Sequence, residues 1–304
     1  MDLYEAIYKR KSTRNYSEEA LPDGTLEDIE QEISSTDRLY KRKSAENHSA
    51  KRPTEKILEN VEQEISSKDK FPNDPKIDLK LVKGEEMESF ISGLIGNYGK
   101  IEAPHYIIGF SKDNPRNLEN LGYTLENIVL EITRRELATC WMGSRFDKEE
   151  LKKDFGTQAD LNPTTLIAFG EPEEGEKALR EETEDIGRKD MSEIILGDVE
   201  EVPEDWLEII DAARVAPSAI NSQPWRFEVE DDSIHLFIES GEGIINKLGK
   251  SWGNLEEMNR IDVGISLRHV KVAAEHFSKE IGLQRLPGKE EGDLPYVISA
   301  ISGS

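Results

Sequence analysis

Cysteine is nearly absent. Among 304 residues there is one, Cys140, so no internal disulfide can form and a reducing cytoplasm is the expected setting. Long apolar runs are missing as well. No stretch of eighteen apolar residues exists and the opening "MDLYEAIYKRKS" has no apolar signal core, so neither membrane insertion nor secretion is expected. Positive charge is scarce: 39 Lys and Arg stand against 63 Asp and Glu, and a net charge of −24 repels polyanions, which argues against a nucleic-acid partner. The five histidines (His48, His105, His235, His269 and His276) lack metal-ligand spacing, so structural roles and no metal are expected. No Ser-His-Asp or Cys-His arrangement stands out, and Cys140 lies in an apolar context that leaves its thiol inert.

What is present is the balance of a globular chain, 36% hydrophobic and 34% charged. Acid concentrates in residues 171–206, where fifteen Asp and Glu outnumber four Lys and Arg. Such a segment reads as a solvated connector. It places a boundary near residue 198, between halves 1–198 and 199–304. Residues 8–38 also realign with 40–70 at an offset of 32, sixteen of 31 positions being identical, including "KRKS" and "EQEISS". One duplicated unit is too few for a solenoid and reads as a local tandem duplication.

Periodicity predicts a helix carrying Leu118, Leu121, Leu125, Ile128, Val129 and Ile132 on one stripe. A second carries Val263, Leu267, Val270, Ala274, Phe277 and Ile281. Strands are predicted at 77–82, 105–110, 164–169, 225–230, 233–238 and 296–301. Helices and strands do not alternate strictly, so the expected class is α+β.

Three short stretches carry candidate chemistry. In "KRKSTRNY", Arg10, Ser12 and Arg14 alternate, and an extended backbone would turn two guanidiniums and a hydroxyl to one face, as a phosphate requires. A basic cap after a short helix is the plainer alternative. In "ARVAPSAINSQPWRFEV", a helix should end before Pro217, leaving Ser218 and Asn221 as polar groups on an irregular backbone. Pro224 then fixes the exit into a strand. Such a bend can face a flat polar heterocycle, or be a turn that satisfies itself. In "ELATCWMGSRF", Gly143 permits close approach and Trp141 can cover a ligand face, although an ordinary helix-to-strand link looks similar.

Taken together, these stretches resemble the FMN-dependent nitroreductase superfamily, specifically its single-chain TM1586-type branch. "YEAIYKRKSTRNY" is similar to the opening Arg-x-Ser-x-Arg signature, and "LGYTLENIVLEITRRELATCWMG" to the long central helix and flavin-facing turn. "GRKDMSEII" resembles a basic clip, and "ARVAPSAINSQPWRF" the Ala-Pro-Ser-x-x-Asn-x-Gln-Pro-Trp signature. In two-chain members each flavin site takes arginines from one chain and the Pro-Ser…Asn corner from the other. Here the arginines lie in the first half and the corner in the second. The resemblance therefore implies an internally duplicated pseudo-dimer with a mixed central sheet flanked by helices, one intramolecular flavin site, and a monomer or weak homodimer.

By position, the resemblance implies that Arg10 and Ser12 hold the FMN phosphate and ribityl chain, and that Arg14 sits beside the N1/C2=O edge, where a cation favours the reduced flavin. Arg188, with Lys189, matches a second phosphate contact. Pro217, Ser218 and Asn221 match the corner, Trp141, Met142 and Gly143 the turn along the ring, and Asn97 in "LIGNYGK" a pyrimidine-edge contact. Arg42 and Ser44 repeat Arg10 and Ser12, but Glu46 replaces Arg14. A negative charge there, at an effective dielectric of about 20, is worth several kcal/mol, so the first copy is expected at the phosphate.

The implied function is an oxidoreductase passing electrons from NAD(P)H through FMN to a nitroaromatic, quinone or related small acceptor. No side chain stands out as a catalytic acid. With no glycine motif for dinucleotide phosphates, the nicotinamide donor would dock transiently. The alternative is a non-catalytic flavin-binding sensor or store of the same fold.

Overall fold

Two helices buried on almost every face carry the architecture. Asn114 caps the first, α4 (Pro115–Arg134), by accepting from the Asn117 amide, and Pro115 presets φ in the opening turn. Between Asn117 and Thr133 only Asn127 escapes burial. The second, α8 (Leu255–His276), is equally enclosed. Helices buried this fully belong between layers, and these two pack against each other at the centre. They cross where both lack a side chain. A Cβ on Gly122 would lie 2.0 Å from the Ile261 carbonyl oxygen, and one on Gly264 1.9 Å from that of Glu119.

The computed structural model describes residues 1–45, 76–91, 101–143, 146–156, 158–180, 186–239 and 255–303. The other helices are α1 (Leu3–Lys9), α2 (Asp23–Ala45), α3 (Gly84–Ile91), α5 (Lys148–Phe155), α6 (Met191–Ile194) and α7 (Glu204–Arg214). The first sheet contains β1 (Ile77–Lys83), β2 (His105–Ser111), β3 (Ala138–Met142) and β4 (Asn162–Gly170), and the second β5 (Trp225–Glu230), β6 (Ser233–Ile238), β7 (Ile281–Gln284) and β8 (Tyr296–Ser302). Both sheets run in the same order, first-second-fourth-third, and each inserts its long buried helix between its second and third strands.

Alternation decides how the first sheet is covered. On β2, Tyr106, Ile108 and Phe110 pack on one face, while Ile107 joins Leu121, Leu125 and Ile128 of α4 on the other. Apolar cover on both faces explains why every β2 residue is buried. In the second sheet, Phe227, Leu236, Ile298 and Ala300 form one cluster with α7, α8, and Ala6 and Ile7 of α1.

Several expectations need correction. The mixed central sheet is instead two antiparallel sheets, with parallel pairing limited among the described residues to isolated bridges at Ser12–Thr139 and Ile195–Phe227. Ile281 opens β7 rather than ending the helical stripe. The acidic connector is not simply solvated. Residues 171–180 run antiparallel to 9–17 with backbone bonds Ser17 N to Glu171 O (3.0 Å), Glu173 N to Asn15 O (3.1 Å) and Arg180 N to Lys9 O (2.7 Å). The carboxylates of residues 171–180 face water while the main chain there is paired.

No described helix is long and apolar enough to cross a membrane.

Candidate functional site

The "KRKSTR" segment leaves α1 in an extended conformation and lies along β3. Ser12 bridges Thr139, and the Thr13 amide donates to the Thr139 carbonyl at 3.0 Å. That pairing sets the arginine segment beside the strand leading to Trp141, Met142 and Gly143. Arg10 is 5% exposed, and its guanidinium donates to Ser12 Oγ at 3.4 Å. No carboxylate among the described residues pairs with it. Burial lowers its proton affinity, which Glu126 partly offsets. A buried cation without a paired anion is costly and calls for an anionic ligand. Arg14 is exposed and lines a cavity of about 740 Å³ together with Glu18, Glu85, Glu88, Glu102 and Glu173. Those carboxylates make that cavity unsuited to an anion, so the candidate centre lies at Arg10 instead.

The late corner is strained and held from several sides. Ile220, Asn221 and Gln223 all have left-handed backbones (φ 50°, 57° and 49°), least natural for the β-branched Ile220. Asp262 of α8 accepts from the Ala219 amide (3.0 Å) and the Ser222 hydroxyl (3.4 Å). Gln223 accepts from the Lys189 amide at 2.7 Å and donates to the Gly187 carbonyl at 3.1 Å. The basic clip is thus fastened to the corner. Asn221 donates to the Gly187 carbonyl (2.8 Å) and accepts from Arg188 (2.5 Å), so both ends of its carboxamide serve to aim Arg188. Arg188 also donates to the Val215 carbonyl at 3.1 Å, while its Nε is buried and unpartnered. The Lys189 ammonium bonds Glu239 at 3.2 Å, which leaves Arg188 as the clip's cation. Ser218 Oγ accepts from the Gln223 amide at 3.0 Å, with its hydroxyl hydrogen uncommitted among the described residues. Pro217 is half-buried beside it.

Arg10 and Arg188 meet electrostatically. Burial, then the charges of Arg10, Arg180 and Arg214, bring the Arg188 pKa down to about 10. An N-terminal arginine and the clip of a corner some two hundred residues away therefore share one electropositive centre. Its donor set (two guanidiniums, an unpartnered Nε and the Ser12 hydroxyl) fits a phosphate monoester.

Beneath it lies a buried polar chain. Trp141 Nε1 donates to Glu126 at 2.9 Å, Glu126 meets His269 Nε2 at 2.9 Å, and His269 Nδ1 faces the Ala212 carbonyl at 2.9 Å. A carbonyl only accepts, so Nδ1 carries a hydrogen; the Glu126–His269 contact then holds one proton and the pair is neutral wherever that proton sits. The chain fixes the Trp141 ring and ties β3 to α7. Gly143 is open, with Met258 at 3.5 Å the sole neighbour among the described residues that a Cβ would meet. Met142 is buried and its carbonyl accepts from Thr165. Burial raises the Cys140 pKa, so the thiol stays protonated. Asn97 lies outside the described residues. Glu126, Arg180, Asp262 and Gln223 were not singled out from sequence; of these only Gln223, inside the corner signature, carries a local signal.

Asp262 has a measurable consequence. It is 4% exposed with no cation against it among the described residues, and burial raises its pKa to about 8. The folded state therefore keeps a proton that the unfolded state releases near pH 4, so stability contributed by this group falls as pH rises from about 4 to about 8. Asp262→Asn retains an acceptor for Ala219. Thermal melts from acid to mildly alkaline pH should show the variant close to the parent at low pH and more stable above neutrality, by a few kcal/mol. Identical slopes for the two proteins would refute a protonated Asp262.

A family model described as "Putative TM nitroreductase" matches residues 35–274. Among solved structures, the TM1586 nitroreductase of Thermotoga maritima MSB8 is 22% identical with a TM-score of 0.57, the match covering 99% of this chain and 94% of that one. An FMN-bound nitroreductase from Bacteroides fragilis NCTC 9343 is 16% identical with a TM-score of 0.38, covering 62% of this chain and 96% of its own. An FMN-dependent nitroreductase from Clostridium difficile R20291 is 15% identical with a TM-score of 0.38, covering 65% and 96%. No curated protein matches. The Thermotoga likeness shows a shared fold, and with the family model spanning most of its length the chain belongs to the TM1586-type nitroreductase family.

Proposed function

We propose that this chain is an FMN-dependent oxidoreductase that takes electrons from NADH or NADPH and passes them to a nitroaromatic, quinone or related small acceptor. The observation that carries this reading is the shared centre of Arg10, near the start of the chain, and Arg188, in the clip fastened to the late corner, with buried guanidinium surface unmatched by carboxylates among the described residues. Arg10, Ser12 and Arg188 would hold the phosphate, with Asn221 aiming Arg188. The Ser218 hydroxyl and the Trp141–Gly143 turn would border the ring. FMN, when bound, supplies the hydride and electron chemistry, and the chain supplies position and charge. The strand order repeated in both sheets supports one site within a single chain; the chain would work in the cytoplasm as a monomer or weak homodimer.

The test is optical. Purified protein should be yellow, bleach anaerobically with NADH or NADPH, and recolour on adding a nitroaromatic or quinone. Protein that stays yellow after the donor would bind flavin without turnover. Colourless protein that takes up no added FMN would end the flavin reading.

A further inference from the structure

We infer that the β5–β6 hairpin carries a metal site, in which Glu228, Glu230 and His235 bind one divalent transition ion of the zinc class and Lys289 competes with it as a built-in counter-ion. None of these residues belongs to the arginine centre, and the inference does not depend on the flavin reading.

Among the described residues, one group of histidine, cysteine or carboxylate side chains brings three ligand atoms within 4.8 Å of one another, and it is Glu228, Glu230 and His235. Sequence spacing hides this group because the sheet assembles it. Glu228 and His235 are register partners across β5 and β6, so they share a face, and Glu230 follows on that face two residues along. The other face of the hairpin gives Phe227, Ile234 and Leu236 to the core.

His235 separates a ligand set from an acidic patch. It is 1% exposed, and its Nε2 is buried without a hydrogen-bond partner among the described residues. That nitrogen lies 3.2 Å from Glu230 Oε2 but is not aligned with it as a hydrogen bond. The other ring nitrogen is fixed. Tyr296 gives its hydroxyl hydrogen to the Gln284 carbonyl (3.3 Å), so Ser299 donates to Tyr296 (2.6 Å) and accepts from His235 Nδ1 (2.7 Å). Burial and the Lys289 ammonium favour the neutral ring. It therefore aims a bare Nε2 lone pair at a carboxylate, and acceptor against acceptor calls for a cation between them. A hydrogen bond that fixes the tautomer from behind is what metal-binding histidines commonly have. Two ligands each about 2.0–2.2 Å from a zinc ion stand about 3.0–3.5 Å apart, and the 3.2 Å separation matches.

Lys289, on the turn Lys289–Glu291, sets its ammonium 2.8 Å from Glu228 Oε2 and 2.6 Å from Glu230 Oε1. It draws the carboxylates together while opposing a second cation. The imidazole favours zinc-class ions over calcium and magnesium.

The test is calorimetric. Tag-free full-length protein, treated with chelator and dialysed, is titrated with zinc chloride. The parent should bind one zinc, with calcium and magnesium at least about 100-fold weaker. Glu230→Gln, at an exposed ligand, should weaken zinc by more than about 10-fold. Lys289→Met removes the competing charge and should tighten it by about 10-fold. His235→Asn should lose the site; if melting curves show that it does not fold, the other two variants carry the comparison. A parent that binds no zinc, zinc bound equally by Glu230→Gln and parent, or calcium bound as well as zinc would each leave only an acidic surface and overturn the inference. So would a Lys289→Met protein that binds zinc no more tightly than its parent.

Discussion

Gly264→Ala will lower the thermal midpoint of this protein by about 5 °C, the response of a chain this size to about 3 kcal/mol. The added methyl would sit 1.9 Å from the Glu119 carbonyl oxygen and 2.8 Å from the Tyr123 amide nitrogen. Both are backbone atoms of α4, so no rotamer change relieves the clash and the two central helices must separate. Separation loosens contacts they share, including the Arg260–Glu119 ion pair at 2.7 Å and the stacking of Arg268 on Tyr123 at 3.7 Å. Helix propensity works the other way: alanine is favoured over glycine by about 1 kcal/mol, which the overpacking exceeds. Gly122→Ala meets the Ile261 carbonyl at 2.0 Å and should behave alike. Gly24→Ala in α2 meets nothing within 4 Å and should leave the midpoint unchanged or slightly raised. A Gly264→Ala protein melting with or above its parent would show that the helices do not touch backbone to backbone.

How far the sequence exposes this fold depends on how each element ends. The six strands predicted from alternation all form, and both buried helices follow their apolar stripes. The strands missed, β3 and β7, each follow one of those helices. α4 stops with Glu136 at φ 63°, its amide bonded to Thr133 and that of Leu137 to Ile132. α8 stops with Ser278 at φ 57°, its amide bonded to Glu275 and that of Lys279 to Ala274. This is the Schellman arrangement without the glycine that normally announces it. With no stop signal, Ile281 reads as one more residue on the stripe, and "ATCWM" as a link rather than a strand. The connector hid its pairing for another reason: composition reports side chains, and there the main chain makes the contacts. The candidate site was legible where residue types cluster, at Arg10, Ser12, Arg188 and the corner. It was illegible where partners lie far apart in sequence, as with Glu126 and His269.

Arg10→Ala should abolish flavin retention while Arg42→Ala leaves it intact, although both arginines belong to the same "YKRKS" pentapeptide. Local sequence cannot separate the two copies; their surroundings do. In the first copy α1 ends at Lys9 and the chain becomes extended along β3, whereas residues 40–44 continue the helix of α2. A helical backbone does not place residues two apart on one face, whereas the extended first copy sets Arg10 and Ser12 together. Arg10 is also the buried arginine whose charge acts on Arg188. Losing two charge-assisted bonds to a phosphate should weaken FMN binding by at least about 100-fold. Removing a buried cation with no paired carboxylate also relieves strain in the empty protein, so ligand-free Arg10→Ala should melt no lower than its parent. Lost affinity with undiminished stability is the combination that distinguishes a ligand-binding arginine from one that holds the fold together. The opposite pattern, with Arg42→Ala colourless and Arg10→Ala yellow, would move the phosphate to the second copy and dissolve the pairing with Arg188 on which the site is built.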